Sequence, residues 1–477
     1  MWRSIQPQVA VICAALALTL TACTNAPVTQ TMSPPPPAPA SPSSLSLPAD
    51  RVTALDAELT AVLNDPERRL ASLSVLAIKH GEVIYQNQFG NRHIDSARPT
   101  ANVPANADTL YRIASISKLV TTIGVMRLVE AGTLSLDADV SLYLGWSLRN
   151  PHFPDAPITL RQLLSHTSSL RDDGGYYWEY TTALKDVLTP GGRLYGKGAM
   201  WATNAGPGQY FQYANLPWGV IGTVMERATG ERFDRLMQRL VLTPLNLHGG
   251  FHPADFSAAD LANTATLYRK RKEMNGREIW DPSPATGAWI AQVDDYQTEV
   301  PLPRAKTDYV IGSNGTVFGP QGACRLSAAG LAKLMRLLMR NGQVDGVRLL
   351  EPESVTQILS TQWRFNTANP NGGTSEFGNA HQLLNEWGLG NQHFLDVSGP
   401  QRGDRLVEGG GFTGVGHLGD AWGLTAAFVF DPKTNDGVIF LVGGVGANPE
   451  NARGNYSAFY RYEERILTAL IRRALSR

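Results

Sequence analysis

At 477 residues, of which 43% are hydrophobic, the chain is long and apolar enough to bury a large core. Its 42 basic and 42 acidic side chains cancel to a formal net charge of zero, which argues against recognition of nucleic acid or anionic lipid by overall charge. We therefore expect no nucleic-acid partner and a small-molecule or peptide substrate.

The N-terminus has the pattern of an export signal. Arg3 supplies a positive charge, residues 9–20 form an apolar stretch, and Leu20-Thr21-Ala22-Cys23 follows. This tetrapeptide resembles the lipobox of bacterial lipoproteins, which implies removal of residues 1–22, diacylation of Cys23 and retention on a bacterial membrane, facing the periplasm. An ordinary signal peptide with an incidental cysteine is the alternative. The apolar stretch is shorter than the roughly 20 residues that a membrane-spanning helix needs.

Residues 23–48 are rich in proline, serine and alanine, which predicts an extended tether. From residue 49 to 477 no low-complexity break or repeat appears, so we expect one continuous catalytic unit. Once the signal is removed and Cys23 is acylated, Cys324 is the remaining thiol, and no intramolecular disulfide is expected. Because no histidine lies near Cys324 in sequence, a small buried hydrophobe is favoured over a catalytic thiol.

Hydrophobic periodicity predicts hairpins near both ends of this unit, with helices and long loops between them. The predicted elements are strands Leu73–Ile78 and Val83–Phe89, helices Ser115–Glu130 and Trp218–Ala228, strands Thr425–Phe430 and Val438–Val442, and a closing helix from about Ala458 to Leu475. This order favours an α+β protein in which both hairpins share one antiparallel sheet beside a helical lobe. Residues 172–205 and 275–316 show no clear period and are interpreted as surface loops near the functional site.

The sequence Ser115-Ile116-Ser117-Lys118 opens the first predicted long helix. A serine hydroxyl becomes a good nucleophile when a neighbouring group takes its proton, and an amine with a lowered pKa can do so. The three-residue spacing puts Ser115 and Lys118 on one helix face, near backbone N–H groups that favour developing negative charge. The alternative is Ser115 as a helix cap and Lys118 as a solvated residue of the first turn.

Several segments in order resemble class C β-lactamases and their penicillin-binding and esterase relatives. They are Leu110 to Lys118, Ile158 to Leu170, and Phe211 to Gly219, with weaker matches at Gly319-Pro320-Gln321-Gly322 and Asp345-Gly346. The resemblance implies a β-lactamase/transpeptidase-like fold, an antiparallel sheet flanked by helices plus a helical domain. The α/β part would be residues 49–130 and 320–477, the helical part residues 131–319, and the two would meet at the Ser115 cleft.

The resemblance also implies roles for individual residues. Ser115 would attack a carbonyl and form an acyl-enzyme while Lys118 accepts its proton. Tyr213 would share the base role or relay a proton to the leaving group, and Asn215 would hold Lys118 and the substrate amide. The alternatives are a core aromatic for Tyr213 and a helix cap for Asn215.

The family's third element, Lys-Thr-Gly or His-x-Gly on a strand beside the site, corresponds to His417-Leu418-Gly419. After it, the backbone N–H of Asp420 would join that of Ser115 in an oxyanion hole. In place of the lysine that helps to bind the carboxylate of penicillins, a neutral His417 would give a weaker, pH-dependent interaction, which argues against efficient β-lactamase activity. His166 is expected to be a hydrogen-bonded structural histidine.

Other catalytic classes have little support. His248 and His252 flank two glycines and do not have the spacing of a helical zinc pair, and no HExxH motif occurs, so no metal is expected. No GxSxG motif of an α/β-hydrolase occurs either. The predicted function is a serine hydrolase that acts on an ester, an amide or a D-amino-acid peptide without a cofactor. The alternatives are a true β-lactamase or D,D-carboxypeptidase and, from another class, a lipoprotein that binds penicillin or muropeptides without turnover.

Overall fold

The strands of this protein build one large sheet and several small ones. The computed structural model describes residues 46–275, 277–281, 287–304, 307–373 and 381–475. The strands of this part of the chain are β1 Ser72–Lys79, β2 Glu82–His93, β3 Val103–Pro104, β4 Tyr111–Arg112, β5 Leu267–Arg269, β6 Arg271–Met274, β7 Arg277–Trp280, β8 Ile290–Val293, β9 Arg325–Leu326, β10 Gln343–Val344, β11 Val347–Arg348, β12 Trp363–Arg364, β13 Glu386–Trp387, β14 Gln392–Phe394, β15 Gly414–Ala421, β16 Leu424–Asp431, β17 Asp436–Val442 and β18 Gly444–Val445.

Helices precede, interrupt and follow these strands. They are α1 Ala49–Leu63, α2 Ser117–Glu130, α3 Ser141–Leu144, α4 Leu160–Leu164, α5 Leu184–Leu188, α6 Leu216–Thr229, α7 Phe233–Met237, α8 Ala258–Ala262, α9 Ala328–Met339, α10 Pro352–Leu359 and α11 Arg461–Ala469. None of the helices in the described ranges combines the length and the apolar composition that crossing a membrane requires.

The large sheet has nine strands in the order β12-β13-β14-β15-β16-β17-β1-β2-β3, and each neighbouring pair is antiparallel. On β1, Leu73 and Val75 pack in a core with α1 and α11. Leu76 and Ile78 point to the other face and pack in a core with α2 and α9. Since alternate side chains of a strand face opposite sides, both faces of the sheet are covered, and β16 and β17 are buried along their whole length. The predicted α+β class and the shared sheet are confirmed.

Helix α2 runs through the interior, which determines the character of the site. It follows a 3₁₀ turn at Ala114–Ile116, and its polar residues Lys118, Thr121 and Thr122 are buried with the apolar ones. Polar groups in such a position need partners inside the protein. Thr121 Oγ1 accordingly donates to the Pro320 carbonyl at 2.9 Å, and Thr122 Oγ1 to the Lys118 carbonyl at 2.9 Å.

Some predicted boundaries and loops differ from the structure. The closing helix begins at Arg461 rather than near residue 458, and it continues as a π-helical turn at Leu470–Ala474. The stretch 172–205 contains α5, and the stretch 275–316 contains β7 and β8, so neither is purely loop. The propensity of these short elements is too weak to give a clear period, and their packing against neighbours stabilises them.

A buried ionic cluster joins the second of these stretches to the strand before Ser115. Asp294 accepts hydrogen bonds from Arg112 at 2.9 and 3.0 Å and from Arg325 at 2.6 and 3.2 Å. Burial alone would raise the pKa of Asp294, but the two guanidinium groups outweigh burial and hold this pKa below its usual range. The carboxylate therefore fixes β4, β9 and residue 294 relative to one another.

Candidate active site

The segment that carries Ser115 is held tightly against its neighbours. Strand β4 pairs with β9, and the Ile113 N–H donates to the Cys324 carbonyl at 2.9 Å. Ala114 has a left-handed backbone conformation with φ of 43°, which is uncommon for a residue with a side chain. The chain turns sharply here, and Ser115 follows half-buried in the 3₁₀ turn before α2.

Lys118 lies below Ser115 and is completely buried. Its Nζ donates to Ser115 Oγ at 2.9 Å, to Asn215 Oδ1 at 2.9 Å and to the Gln321 carbonyl at 3.3 Å. The amine is therefore within proton-transfer distance of the serine oxygen. The alternative of a solvated Lys118 is excluded by its burial. No helix cap is formed by Ser115 either, because Ile116 occupies the cap position of α2.

Asn215 occupies the cap position of α6, yet its side chain does not cap the helix. While Oδ1 accepts from Lys118, Nδ2 donates to Asp172 Oδ2 at 3.0 Å. Asp172 supplies the missing cap, because its carboxylate accepts from the backbone N–H of Asn215 at 2.7 Å and of Leu216 at 2.8 Å. The Asn215 amide is thereby oriented toward Lys118. Sequence analysis missed Asp172, because a capping residue 43 positions before Asn215 leaves no local signal.

Tyr213 lies in an aromatic cluster and also faces the amine. Its ring stacks on His166 at 4.5 Å, meets Trp387 edge-on at 5.8 Å, and has Lys118 Nζ 4.8 Å from its centroid. His166 has the predicted hydrogen-bonded position, since its Nδ1 accepts from the Ala214 N–H at 3.2 Å. Burial, and then the charge of Lys118, lower the pKa of His166. Tyr213 therefore combines the core contacts of the structural alternative with a position beside Lys118.

His417 and Gly419 lie on β15, at the side of the cleft. A Cβ on Gly419 would come within 2.7 Å of the Ile113 carbonyl, so only glycine allows β15 to approach the Ser115 segment this closely. His417 Nδ1 donates to the Leu418 carbonyl at 2.6 Å, which leaves Nε2 as an acceptor. Burial, and then Lys118, lower the pKa of His417 to about 3. The ring is therefore neutral near pH 7, and a pH-dependent charge on His417 would arise only in strongly acidic solution.

The predicted site residues line one cleft of about 980 Å³, apart from Lys118, which lies beneath its floor, and Cys23, which lies outside the described residues. Those in the wall are Ser115, Tyr213, Asn215, His417, Gly419 and Asp420. The two stretches interpreted as loops near the site also reach this cleft, through Asp172 and Tyr177 in one and Arg304 in the other. The backbone oxyanion role of Asp420 remains a prediction.

Behind Asp420, Glu463 at the start of α11 is buried and belongs to the same wall. Its carboxyl accepts from the Tyr460 N–H at 2.9 Å. Burial is the main cause that raises the pKa of Glu463 to about 8, and the nearby Asp420 carboxylate adds to the effect. Glu463 therefore carries a proton at neutral pH.

Two features outside the cleft bear on the other predictions. Cys324 is fully buried, and burial raises the pKa of its thiol, which agrees with the predicted structural role. His252 groups with Asp234 and Asp255, with donor atoms within 4.8 Å of one another, an arrangement that the sequence analysis missed. Arg232 already donates to both carboxylates, so a cation is supplied there by the protein itself.

The sequence matches the family model described as Beta-lactamase over residues 49–462. It is 31% identical over 218 residues to esterase EstB of Burkholderia gladioli, which is 42% of this chain and 53% of EstB. It is 28% identical over 178 residues to the D-alanyl-D-alanine-carboxypeptidase/endopeptidase AmpH of Escherichia coli strain K12, which is 35% of this chain and 42% of AmpH. The matched regions thus span about half of these relatives or less.

The fold is shared with solved structures at low identity. The D-amino acid amidase from Ochrobactrum anthropi SV3, complexed with D-phenylalanine, superposes with a TM-score of 0.57 at 16% identity, covering 89% of this chain and 100% of the amidase. Identity at this level establishes the architecture alone. It supports the predicted arrangement of an antiparallel sheet flanked by helices.

The position of Asp172 predicts a role in the reactivity of Ser115. The Asp172→Asn substitution removes a charged acceptor from Asn215, so the amide loses its orientation toward Lys118. We expect a decrease of about tenfold or more in the rate at which a fluorophosphonate modifies Ser115, the size associated with a charge-assisted hydrogen bond. Thr159→Ala, which removes a side-chain cap from α4 outside the cleft, should leave this rate unchanged. Equal rates in wild type and Asp172→Asn would reduce Asp172 to a helix cap.

The raised pKa of Glu463 predicts a pH-dependent stability. Between the ordinary pKa of 4.5 and the folded-state pKa of about 8, the folded protein holds a proton that the unfolded chain releases, so stability falls as pH rises. Glu463→Gln retains an acceptor for the Tyr460 N–H and does not titrate. The melting temperature of Glu463→Gln relative to wild type should therefore increase from pH 5.5 to pH 8.5. Thermal unfolding measures this difference, with exposed Glu353→Gln as the control for net charge. A constant difference would contradict the assignment.

Proposed function

The chain belongs to the beta-lactamase family, and on that premise we propose that it is a serine hydrolase that works through an acyl-enzyme. The observation that carries this proposal is the 2.9 Å contact between Lys118 Nζ and Ser115 Oγ at the floor of a cleft. Asn215 holds the same amine, and the Tyr213 ring lies beside it. A nucleophile, a base and a group that orients the base are the parts that such a reaction requires.

The proposed reaction has two stages. With Lys118 as the neutral amine, Ser115 Oγ bonds to the carbonyl carbon of the substrate while its proton passes to the lone pair of Lys118 Nζ, and the oxyanion faces the backbone N–H groups of Ser115 and Asp420. The bond to the leaving group then breaks, and the leaving alkoxide or amine takes this proton from Lys118 through Tyr213 as the relay, which returns Lys118 to the neutral amine. Water attacks the acyl-enzyme in the second stage and loses its proton to the same base. The acid leaves, and Ser115 regains its hydroxyl.

Esters are the substrate class that we favour. The relative named esterase EstB supports this choice, and so does the neutral His417, which gives a penicillin carboxylate no positive partner at the position of the family's lysine. D-amino-acid peptides are the second candidate, favoured by the resemblance to AmpH. The third candidate function is a binding protein that is acylated at Ser115 but does not turn over. It would differ from the two hydrolases only in failing to hydrolyse the acyl-enzyme.

We further propose that the protein is exported and anchored to a bacterial membrane by lipid on Cys23, facing the periplasm. The support is in the sequence, where Leu20-Thr21-Ala22-Cys23 directly follows the apolar stretch of residues 9–20. The proline-rich tether of residues 23–48 would then separate the catalytic unit from the membrane surface.

Intact mass spectrometry tests the nucleophile. Wild type should gain one adduct from a fluorophosphonate, Ser115→Ala should gain none, and Ser360→Ala, at an exposed serine outside the cleft, should label like wild type. Lys118→Ala should hydrolyse p-nitrophenyl esters at least about a hundredfold more slowly, since positioned general bases contribute 10² or more. Absence of any wild-type adduct, or an equal adduct on Ser115→Ala, would refute the mechanism. Parallel assays with penicillin, nitrocefin and D-Ala-D-Ala peptides identify the substrate class, and a lasting penicillin adduct without hydrolysis identifies the non-turnover alternative.

Metabolic labelling with palmitate tests the anchor. Full-length protein expressed in a bacterial host should incorporate the label and fractionate with membranes, and Cys23→Ser should do neither, because its hydroxyl is not a lipobox acceptor. Cys13→Ser, a change within the apolar stretch, should behave like wild type. Release of unlabelled wild-type protein in soluble form would show that the sequence is an ordinary signal peptide.

A further inference from the structure

Arg304 is a cationic side chain in the wall of the Ser115 cleft that the proposed mechanism does not use. It is half-buried, and its Nη1 donates to the Val317 carbonyl at 3.3 Å. Within the described part of the chain, no carboxylate lies at ion-pair distance from Arg304. Arginines that are partly removed from solvent usually have an anionic partner, since burial of an uncompensated charge is costly.

The surroundings of Arg304 are rich in positive charge. Arg112 also lines the cleft, and it shares the single carboxylate of Asp294 with Arg325. The two arginines next to Arg304 thus have one carboxylate between them, and neither leaves an anion for Arg304. Burial, and then Arg325 and Arg112, lower the pKa of Arg304 to about 9. These neighbours disfavour the charge on Arg304, and an anion in the cleft would reverse that effect.

The local geometry leaves room for the Arg304 head group in the cleft wall. A Cβ on Gly319 would lie 3.2 Å from Arg304 Nη1, so a larger residue at position 319 would crowd the guanidinium. Gly319 has a φ of 59°, in the left-handed region that favours glycine. The carbonyl of the neighbouring Gln321 accepts a hydrogen bond from Lys118 Nζ at 3.3 Å. This bond connects the cleft wall around Arg304 to the floor below Ser115. Tyr177, about half exposed, adds a hydroxyl-bearing ring to the same wall.

We propose that this wall is a carboxylate subsite, in which Arg304 binds a carboxylate of the substrate while Ser115 attacks a carbonyl elsewhere in the same molecule. The substrates would be esters or amides that bear a free carboxylate, such as monoesters of dicarboxylic acids. A planar guanidinium pairs with a carboxylate through two parallel hydrogen bonds, and this geometry supports specificity. The subsite rests on the proposed hydrolase function. In it the substrate carboxylate is bound by Arg304, on the chain segment before α9, and not by the neutral His417.

Paired substrates test the subsite. Kinetics of wild type and Arg304→Gln are compared on p-nitrophenyl butyrate, which is neutral, on mono-p-nitrophenyl glutarate, with a carboxylate on the acyl side, and on 4-acetoxybenzoate, with a carboxylate on the leaving group. We expect Arg304→Gln to lower kcat/KM about tenfold or more for one carboxylate ester, the effect of losing a charge-assisted pair, with a change below about twofold for the butyrate. The affected substrate shows on which side of the scissile bond Arg304 acts.

Arg193→Gln, an exposed arginine of the 172–205 stretch that does not line the cleft, is the matched control, and it should change none of these rates. Equal effects of Arg304→Gln on all three esters, or no effect, would overturn the subsite. Arg304 would then have only a structural role, through its hydrogen bond to the Val317 carbonyl. Glutarate binding measured by calorimetry gives a readout without turnover: wild type should bind it, and Arg304→Gln should bind it about tenfold more weakly. Absence of glutarate binding to wild type would also refute the subsite, whereas failure of wild type to hydrolyse the butyrate through Ser115 refutes the hydrolase proposal instead.

Discussion

The burial of one amine, that of Lys118, determines how the active site is built. Helix α2 runs through the interior, so Nζ has no route to solvent and needs acceptors from the protein. They come from Ser115 in the 3₁₀ turn before this helix, from Asn215 before α6, and from the Gln321 carbonyl before β9. Hydrogen bonds to this one lysine thus join three segments of the chain, and the longest of them links residues 203 positions apart.

The bond between Asn215 and Lys118 leaves the N-terminus of α6 in need of another cap. Because Asn215 turns its side chain to Lys118, the first N–H groups of α6 lose the cap that an asparagine in this position normally provides. Asp172 takes over that function and binds the free end of the same amide. The start of the 172–205 stretch is thereby fixed at the cleft, and Tyr177 enters the cleft wall with it. The 172–205 stretch therefore lies near the site because the Asp172 carboxylate caps α6.

Features that depend on local sequence pattern could be predicted from the sequence. Both hairpins, the long helix after Ser115 and the helix after Asn215 follow from periodicity, and the Ser115–Lys118 pair follows from helical spacing. Features that depend on packing between distant parts of the chain could not be predicted. Asp172 binds the N–H of Asn215, 43 residues further along the chain, and His417 is neutral because it is buried beside a lysine 299 positions earlier. Neither contact leaves a local signature in the sequence. Arg304 lies in a stretch without period, where no pattern distinguishes a cleft residue from a solvated one.

The backbone next to the nucleophile shows the same dependence on distant contacts. Ala114 is held at a φ of 43°, and a left-handed residue with a side chain costs roughly 1–3 kcal/mol. The flanking groups overdetermine this conformation: the Ile113 N–H bonds to the Cys324 carbonyl, and Ser117 Oγ accepts from the Cys324 N–H at 3.1 Å. Gly419 closes the other side by direct contact with the Ile113 carbonyl. Cys324 therefore contributes through its backbone while its thiol is inert, and a buried residue with no chemistry of its own keeps Ser115 oriented toward the cleft.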